Sequence, residues 1–525
     1  MLDFRRIYKH AEENTVWYAV GIFVVLATLI ALQTIYSGLT ILSIVIGLCF
    51  IILTILRPLW TLAFVAVYLP FEPFILKFVP DEIYIFARYF SEFLIYFLCA
   101  VVIWRMITGQ LKTKTTPINL PFVLFLVVAA SSAVINFVDP SIAILGLRQI
   151  IRFILVFFVA VYLRPSRSFI QKLTLALLIV VLFEAGLGIV QAIIGEPLDL
   201  LLLPSETRTF GEMVLTSGVA QTWESGTRVF ATLGRYDRLG TFLAFFLIIA
   251  SAVLYEMKKN AEKGKKIIWA TIFVGLPALV LTYSRSAWFG FLLGFLFIAL
   301  WIKKDKKVLV ATLSIIVLLF SYLIYSGLMV RYLVDTPQQT VVERFFESFS
   351  FERWRGEYYG LGRLYWMVQT VTTVVPASPL FGFGPGQFGG GAATALNNTR
   401  VYEQLGLPFG VYGTDGYIDN NWFSLWGETG TLGLAFYLWM YLALFVFSVQ
   451  VYRKTKHDPF VRALALGFAA AMIAVALNAF LATFLEVRTL AFYLWLYGGF
   501  IVVLAPTPTL PHIHNGRVYE GGRIR

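Results

Sequence analysis

The chain has 525 residues, of which 59% are hydrophobic, 17% aromatic and only 14% charged. That balance excludes an ordinary soluble globular protein. The formal charge of +12 sits mainly in connections between apolar runs, where Lys and Arg meet anionic lipid, so it does not indicate nucleic-acid binding.

Apolar runs of about 20 residues recur, each long enough to cross ~30 Å of hydrocarbon as a helix and too uniformly apolar for barrel strands. They predict an all-α polytopic membrane protein of about 14 transmembrane helices: 16–36, 38–56, 59–79, 83–104, 118–136, 142–163, 170–194, 239–257, 266–282, 285–302, 308–327, 431–452, 462–483 and 487–504. The first reads as a retained signal-anchor. Pro70 and Pro73 weaken the last turns of the third. Cys49 and Cys99 both lie inside apolar runs, so no disulfide framework is legible.

Alternate connections carry most of the Lys and Arg, from Arg5, Arg6 and Lys9 through Lys303–Lys307 to Arg453 and Lys454. By the positive-inside trend these are cytoplasmic. Both termini are then inside, in a multi-pass protein of the inner (plasma) membrane. The chain divides into N-terminal spans (1–194), a first extracytoplasmic loop (195–238), a second set of spans (239–327), a large, mostly helical extracytoplasmic loop (328–430), C-terminal spans (431–504) and a polar, proline-rich cytoplasmic tail (505–525).

Arginines on the extracytoplasmic side run against that trend. Arg148 and Arg152 lie four apart on one face of the sixth span. Arg228, Arg235 and Arg238 close the first loop beside Asp237, Arg285 sits at a turn between two spans, and Arg363 lies in the large loop. Singly, each reads equally well as an interfacial side chain or half of an ion pair. Together they suggest an anion pocket, since the guanidinium fork suits phosphate oxygens. The anion that carries an apolar tail at that boundary is a polyprenyl phosphate or diphosphate.

Tyr283-Ser284-Arg285-Ser286 puts hydroxyls around one arginine, and Ser286 is placed to cap the following helix. Tyr358, Tyr359, Tyr365 and Trp366 offer flat faces for sugar rings, or anchors at the membrane interface. Residues 341–354 form an amphipathic segment with Phe345, Phe346 and Phe349 on one side. Gly382, Gly384 and Gly386 permit close backbone approach. In Asp419-Asn420-Asn421 the carboxylate reads first as a helix N-cap and second as a proton acceptor for an attacking hydroxyl. Glu92 and Glu184, inside spans, keep a transporter or flippase of lipid-linked sugars as the alternative.

In this order, Gln191, Arg228-Val229-Phe230 with Gly240-Thr241-Phe242, Tyr283 to Ser286, Gly362-Arg363 with Trp366, Pro379 to Gly384, and Asp419-Asn420 with Glu428, Gly430 and Gly433 resemble the O-antigen ligase and polymerase family of C-type membrane glycosyltransferases. The resemblance runs from about Gln191 to Gly433. It implies transfer of a glycan from undecaprenyl diphosphate or a similar carrier to an acceptor hydroxyl, with inversion and without metal or cofactor. It further implies Arg285 and Arg363 on the diphosphate leaving group; Arg148, Arg152, Arg228, Arg235, Arg238, Tyr283, Ser284, Tyr365, Trp366 and Asn420 are the further candidates for binding diphosphate or substrate, and Asp419 for catalysis. Gly382, Gly384, Gly386, Glu428, Gly430 and Gly433 would be the structural motif. The partners implied are the lipid-linked donor, a glycan or lipid-linked acceptor, membrane lipids and a chain-length regulator protein. The ligase branch has His where this chain has Asp419, which leans the reading toward a polysaccharide polymerase.

Overall fold

The computed structural model describes residues 37–205, 207–210, 213–216, 226–256, 264–334, 336, 339–413, 416–506, 512–514, 517–520 and 523–524. The expected first span, 16–36, lies outside them. Helices labelled here are α1 (Gly38–Leu56), α2 (Pro58–Tyr68), α3 (Asp81–Ile107), α4 (Asn119–Ile135), α5 (Pro140–Ile151), α6 (Ile154–Leu163), α7 (Arg167–Ile194), α8 (Tyr236–Glu256), α9 (Lys265–Leu281), α10 (Arg285–Leu296), α11 (Lys306–Tyr325), α12 (Val341–Glu347), α13 (Phe351–Tyr359), α14 (Arg363–Gln369), α15 (Asn421–Lys454), α16 (Pro459–Leu481) and α17 (Arg488–Leu504). Strands are marginal to this helical body. An antiparallel hairpin joins β1 (Thr207–Phe210) to β2 (Met213–Thr216), and the tail carries β3 (His512–His514), β4 (Arg517–Glu520) and β5 (Arg523–Ile524).

Among the described residues eight helices are long and apolar enough to cross a membrane, or nine if the bent pair α5–α6 is one span. Eight or nine spans are thus shown by length among the described residues, and the expected count of about 14 is not shown. Helices α2, α4 and α17 are apolar but shorter. The third expected span ends at Tyr68, and a separate short helix, Glu72–Lys77, follows; Pro70 and Pro73 remove the donors a continuous helix needs. The sixth is not straight. α5 and α6 meet at 55°, where Arg152 turns to the Glu486 carbonyl (2.9 Å) and Glu92.

The centre of the bundle is α8, apolar on all sides and buried along most of its length, as a helix enclosed by other helices should be. It packs on α16, α9 and α10, while α15 packs on α16 and α4, and α17 on α6. At one end of the bundle, residues 327–413 form a lid of short helices. Its own apolar core includes Trp366, Val374, Phe388, Val401, Tyr402 and Ile418.

The lid is seated by its glycine turn. α15 breaks at Gly430, whose φ of 66° leaves the helical region. The break frees two carbonyls that an unbroken helix would use, and Phe383 N–H donates to Gly427 O at 2.9 Å and Gly384 N–H to Glu428 O at 2.8 Å. A Cβ on Gly382, itself at φ 68°, would lie 2.5 Å from Gly427 O. Glu428 completes the seat by accepting the Gly386 N–H at 2.9 Å.

Candidate active site

Arg363, the first residue of α14, donates Nε and Nη2 to Asp419 Oδ2 at 3.2 and 3.1 Å, and its backbone N–H to Glu357 Oε2 at 2.9 Å. Burial would lower the Arg363 guanidinium, but Asp419 and Glu357 hold it above its usual value. Asp419 has φ 52°, a left-handed conformation that Asp and Asn tolerate better than other L-residues. The N-cap expected of Asp419 belongs to its neighbour: Asn420 Oδ1 accepts the Phe423 N–H at 3.1 Å. Asn420, expected as a substrate contact, thus caps α15, although its Nδ2 is buried with no partner among the described residues. Asp419 keeps Oδ1 free of hydrogen bonds among the described residues, because Arg363 takes only Oδ2.

The first loop delivers further arginines. Gln191 Oε1 accepts the N–H groups of Phe230 (3.0 Å) and Ala231 (2.9 Å), and Glu184 accepts Thr232 Oγ1 and N–H (2.5 and 3.1 Å). Buried side chains from one helix therefore fix the turn that precedes α8. Arg235 forks onto Asp237 at 3.2 and 3.1 Å. Asp237 foremost, with Asp419 adding, raises the Arg235 guanidinium. Arg228 lies 4.4 Å over the Tyr236 ring, and Tyr236 acts electrostatically on Arg235 and Arg363. The Arg238 guanidinium has no hydrogen bond or ion pair among the described residues and feels Arg235, Asp237 and Tyr417. Of these expected residues, Arg363 and Asp419 are in contact and Arg235 acts electrostatically on Asp419.

Arg285 belongs to a second group. It pairs at 2.9 Å with the buried carboxylate of Glu347, which also meets Arg344 at 3.0 Å and Arg353 at 3.3 Å. Arg353 also pairs with Glu357, the acceptor of the Arg363 N–H. A ladder of alternating charge, Arg285–Glu347–Arg353–Glu357–Arg363, therefore links the two arginines. Ser286 is not the cap of α10: the N-cap position is Ser284, without a side-chain cap bond, and the two hydroxyls lie 3.3 Å apart. Tyr283 takes φ 54° and sets its ring 6.3 Å from Trp288.

The remaining expected residues are placed elsewhere. Arg148 donates to both Glu92 oxygens (2.5 and 2.7 Å) and Arg152 pairs with the same carboxylate at 3.5 Å, so both are committed to an internal ion network. Glu92 is thus held by two arginines, and Glu184 by the Thr232 hydroxyl and N–H. The Trp366 ring is fully enclosed against Phe388 and Tyr402, which removes it as an open sugar platform. Tyr365 is half-buried between Tyr358 and Trp366.

Glu347, Glu357, Tyr417 and Glu486 were not expected. Glu486 Oε2 accepts Gly391 N–H at 2.8 Å and Gln149 Nε2 at 3.0 Å, and Oε1 accepts Asn421 Nδ2 at 3.3 Å. Burial raises its carboxyl above the usual range despite those donors. Burial foremost pushes the Tyr417 phenol up to about 12, with Glu486 and Asp419 raising it and Arg235 and Arg238 lowering it. The available signal was a Glu and an Arg, at 486 and 488, in the short connection between two apolar runs.

Residues 270–438 match the sequence family described as O-antigen ligase. That match identifies the O-antigen ligase and polymerase family. It covers Arg285, the whole lid, Arg363, Asp419 and the Gly430 break, and leaves the first loop outside. No curated protein matches the chain. The matched region implies an enzyme of the ligase or polymerase kind, involved in polysaccharide biosynthesis with lipid-linked glycan substrates, in a chain whose helices make it a multi-pass membrane protein.

Proposed function

We propose that the chain is a surface-polysaccharide polymerase that moves a glycan from a polyprenyl diphosphate to an acceptor sugar hydroxyl on the extracytoplasmic side. The observation that supports this reading is Asp419, a carboxylate held by the Arg363 fork through one oxygen with the other open, with Arg235 acting on it electrostatically. The acceptor oxygen attacks the anomeric carbon as that carbon's bond to the diphosphate oxygen breaks. Configuration inverts, the electron pair leaves with the diphosphate, and the hydroxyl proton passes to Asp419 Oδ1. The arginines neutralise the departing charge, the kind of electrostatic assistance that dominates such reactions. Arg285, at the end of a span, receives the head group from the bilayer. A topology of 14 crossings, with both termini cytoplasmic, is supported by the alternation of Lys and Arg in the connections.

The test uses full-length protein in nanodiscs with a polyprenyl-diphosphate-linked glycan and no ion gradient. Polyprenyl diphosphate should be released as longer glycan appears, and Arg285→Ala and Arg363→Ala should each lose transfer while still inserting into the membrane. Gradient-driven uptake with no new glycosidic bond would overturn the assignment in favour of transport.

A further inference from the structure

Three lid helices follow one another and start differently. α12 begins on Thr340 and α13 on Ser350, and each of those side chains accepts an N–H of its own first turn. α14 begins on Gly362, which has no side chain to do so. Its first residue is Arg363, the arginine that forks onto Asp419.

The missing cap is supplied by the preceding helix. The turn after α13 folds back on Glu357, whose carbonyl oxygen accepts the Gly362 N–H at 2.8 Å and whose Oε2 accepts the Arg363 N–H at 2.9 Å. One residue thus holds two consecutive N–H groups. Arg353, one turn earlier on α13, takes Oε1 of the same carboxylate, which fixes its rotation and turns Oε2 toward the amide. Leu361 passes through the turn at φ 60°, and its carbonyl accepts the Tyr412 N–H at 3.1 Å. Glu357 is only 8% exposed, a depth at which a carboxylate is costly unless its oxygens are bonded, and here both are. Gly362 makes room for this arrangement. A Cβ there would overlap Glu357 Oε2 and lie 2.9 Å from Glu357 O. A serine or threonine cap at 362 is therefore excluded by the carboxylate that replaces it.

We infer that Glu357 is a positioning residue for glycan transfer: through the backbone N–H of Arg363 it sets where that guanidinium stands against the departing diphosphate. The inference rests on the transferase reading and adds to it the group that aims Arg363. Asp419 holds the guanidinium end of the arginine through one half-open oxygen, and Glu357 holds the main-chain end. A guanidinium aimed at a leaving group meets charge that develops only as the bond breaks, so displacing it lowers kcat and leaves ground-state binding nearly unchanged. A displacement of about 1 Å in such a group costs about 10²-fold in rate.

The experiment compares Glu357→Ala, Glu357→Gln and Gly362→Ala with wild type, as full-length protein in nanodiscs with a polyprenyl-diphosphate-linked glycan. Glu357→Ala should lower kcat about 10²-fold and leave KM within about threefold of wild type. Glu357→Gln keeps an acceptor oxygen for the Arg363 N–H and should restore kcat to within about tenfold of wild type. Gly362→Ala, which drives the carboxylate off the amide, should reproduce the loss seen in Glu357→Ala. A Glu357→Ala or Gly362→Ala variant with kcat within about threefold of wild type would overturn the inference, as would a Gln variant as impaired as the Ala variant, or a rise in KM alone. Should Glu357→Ala fail to fold, the Gln and Gly362→Ala variants still make the comparison. Hydrogen exchange at the Arg363 amide, which needs no turnover, should quicken in Glu357→Ala and stay slow in Glu357→Gln; equal exchange in both would overturn the inference. Wild-type protein that transfers no glycan, with the amide responding as expected, would instead overturn the transferase reading.

Discussion

Asp419→Asn separates chemistry from architecture at this site. At φ 52° the backbone tolerates Asn nearly as well as Asp, whereas Ala would add about 1–2 kcal/mol of left-handed strain. The ion pair that is lost is half-open, its Arg363 and Asp419 side chains being 39% and 30% exposed. Solvent screening limits the contribution of such a pair to roughly 0.2–1 kcal/mol. The N-cap of α15 is untouched because Asn420 provides it. The fold should therefore lose less than about 1 kcal/mol and its thermal midpoint should move by no more than about 2 °C. Removing a proton acceptor, by contrast, should lower kcat by about 10²–10⁴-fold, equivalent to about 2.7–5.4 kcal/mol of barrier. The assay is release of polyprenyl diphosphate by purified protein in nanodiscs, read beside a thermal melt. An Asn variant that turns over within about threefold of wild type would refute the role of Asp419. Equal collapse of folding and activity would refute the claim that Asn isolates the charge.

Glu347→Ala leaves Arg285, Arg344 and Arg353 facing one another without their shared carboxylate. It should loosen lid docking by about 3–5 kcal/mol, seen as faster limited proteolysis between 341 and 359; unchanged cleavage would contradict the ladder. Gly382→Ala places a Cβ 2.5 Å from Gly427 O at φ 68° and should destabilise the lid seat by about 2 kcal/mol or more. Gly327→Ala, with nothing within 4 Å of its Cβ, should be neutral in the same melt. Glu486 has a folded pKa raised above its ordinary 4.5. Its contribution to stability is therefore fully present below about 4.5 and is lost as pH rises through the folded value. Glu486→Gln should flatten that part of the stability profile, and an unchanged slope would count against a buried, titrating Glu486.

Local chemistry was enough to locate much of this enzyme's architecture. Long apolar runs can satisfy their backbone only as helices in lipid, so the membrane class and most helix positions follow from hydropathy alone. Pro70 and Pro73 announced the break after Tyr68, and the glycines of 382–386 announced a close approach. Arg228, Arg235, Arg238 and Arg363 were legible as candidates because arginines beyond an apolar run stand out against their surroundings.

Tertiary structure decided which charges meet. Ion pairs form between residues distant in sequence: Arg148 with Glu92, Arg285 with Glu347, and Arg363 with Asp419. No periodicity or spacing encodes such pairings, since they depend on how helices dock. Only docking paired Arg148 and Arg152 with Glu92, enclosed Trp366, moved the cap from Asp419 to Asn420, and brought Glu486 up to the lid. Hydropathy likewise cannot tell a helix packed on protein from one facing lipid. α8 and α11 are both strongly apolar, yet one is the centre of the bundle and the other has no buried residue.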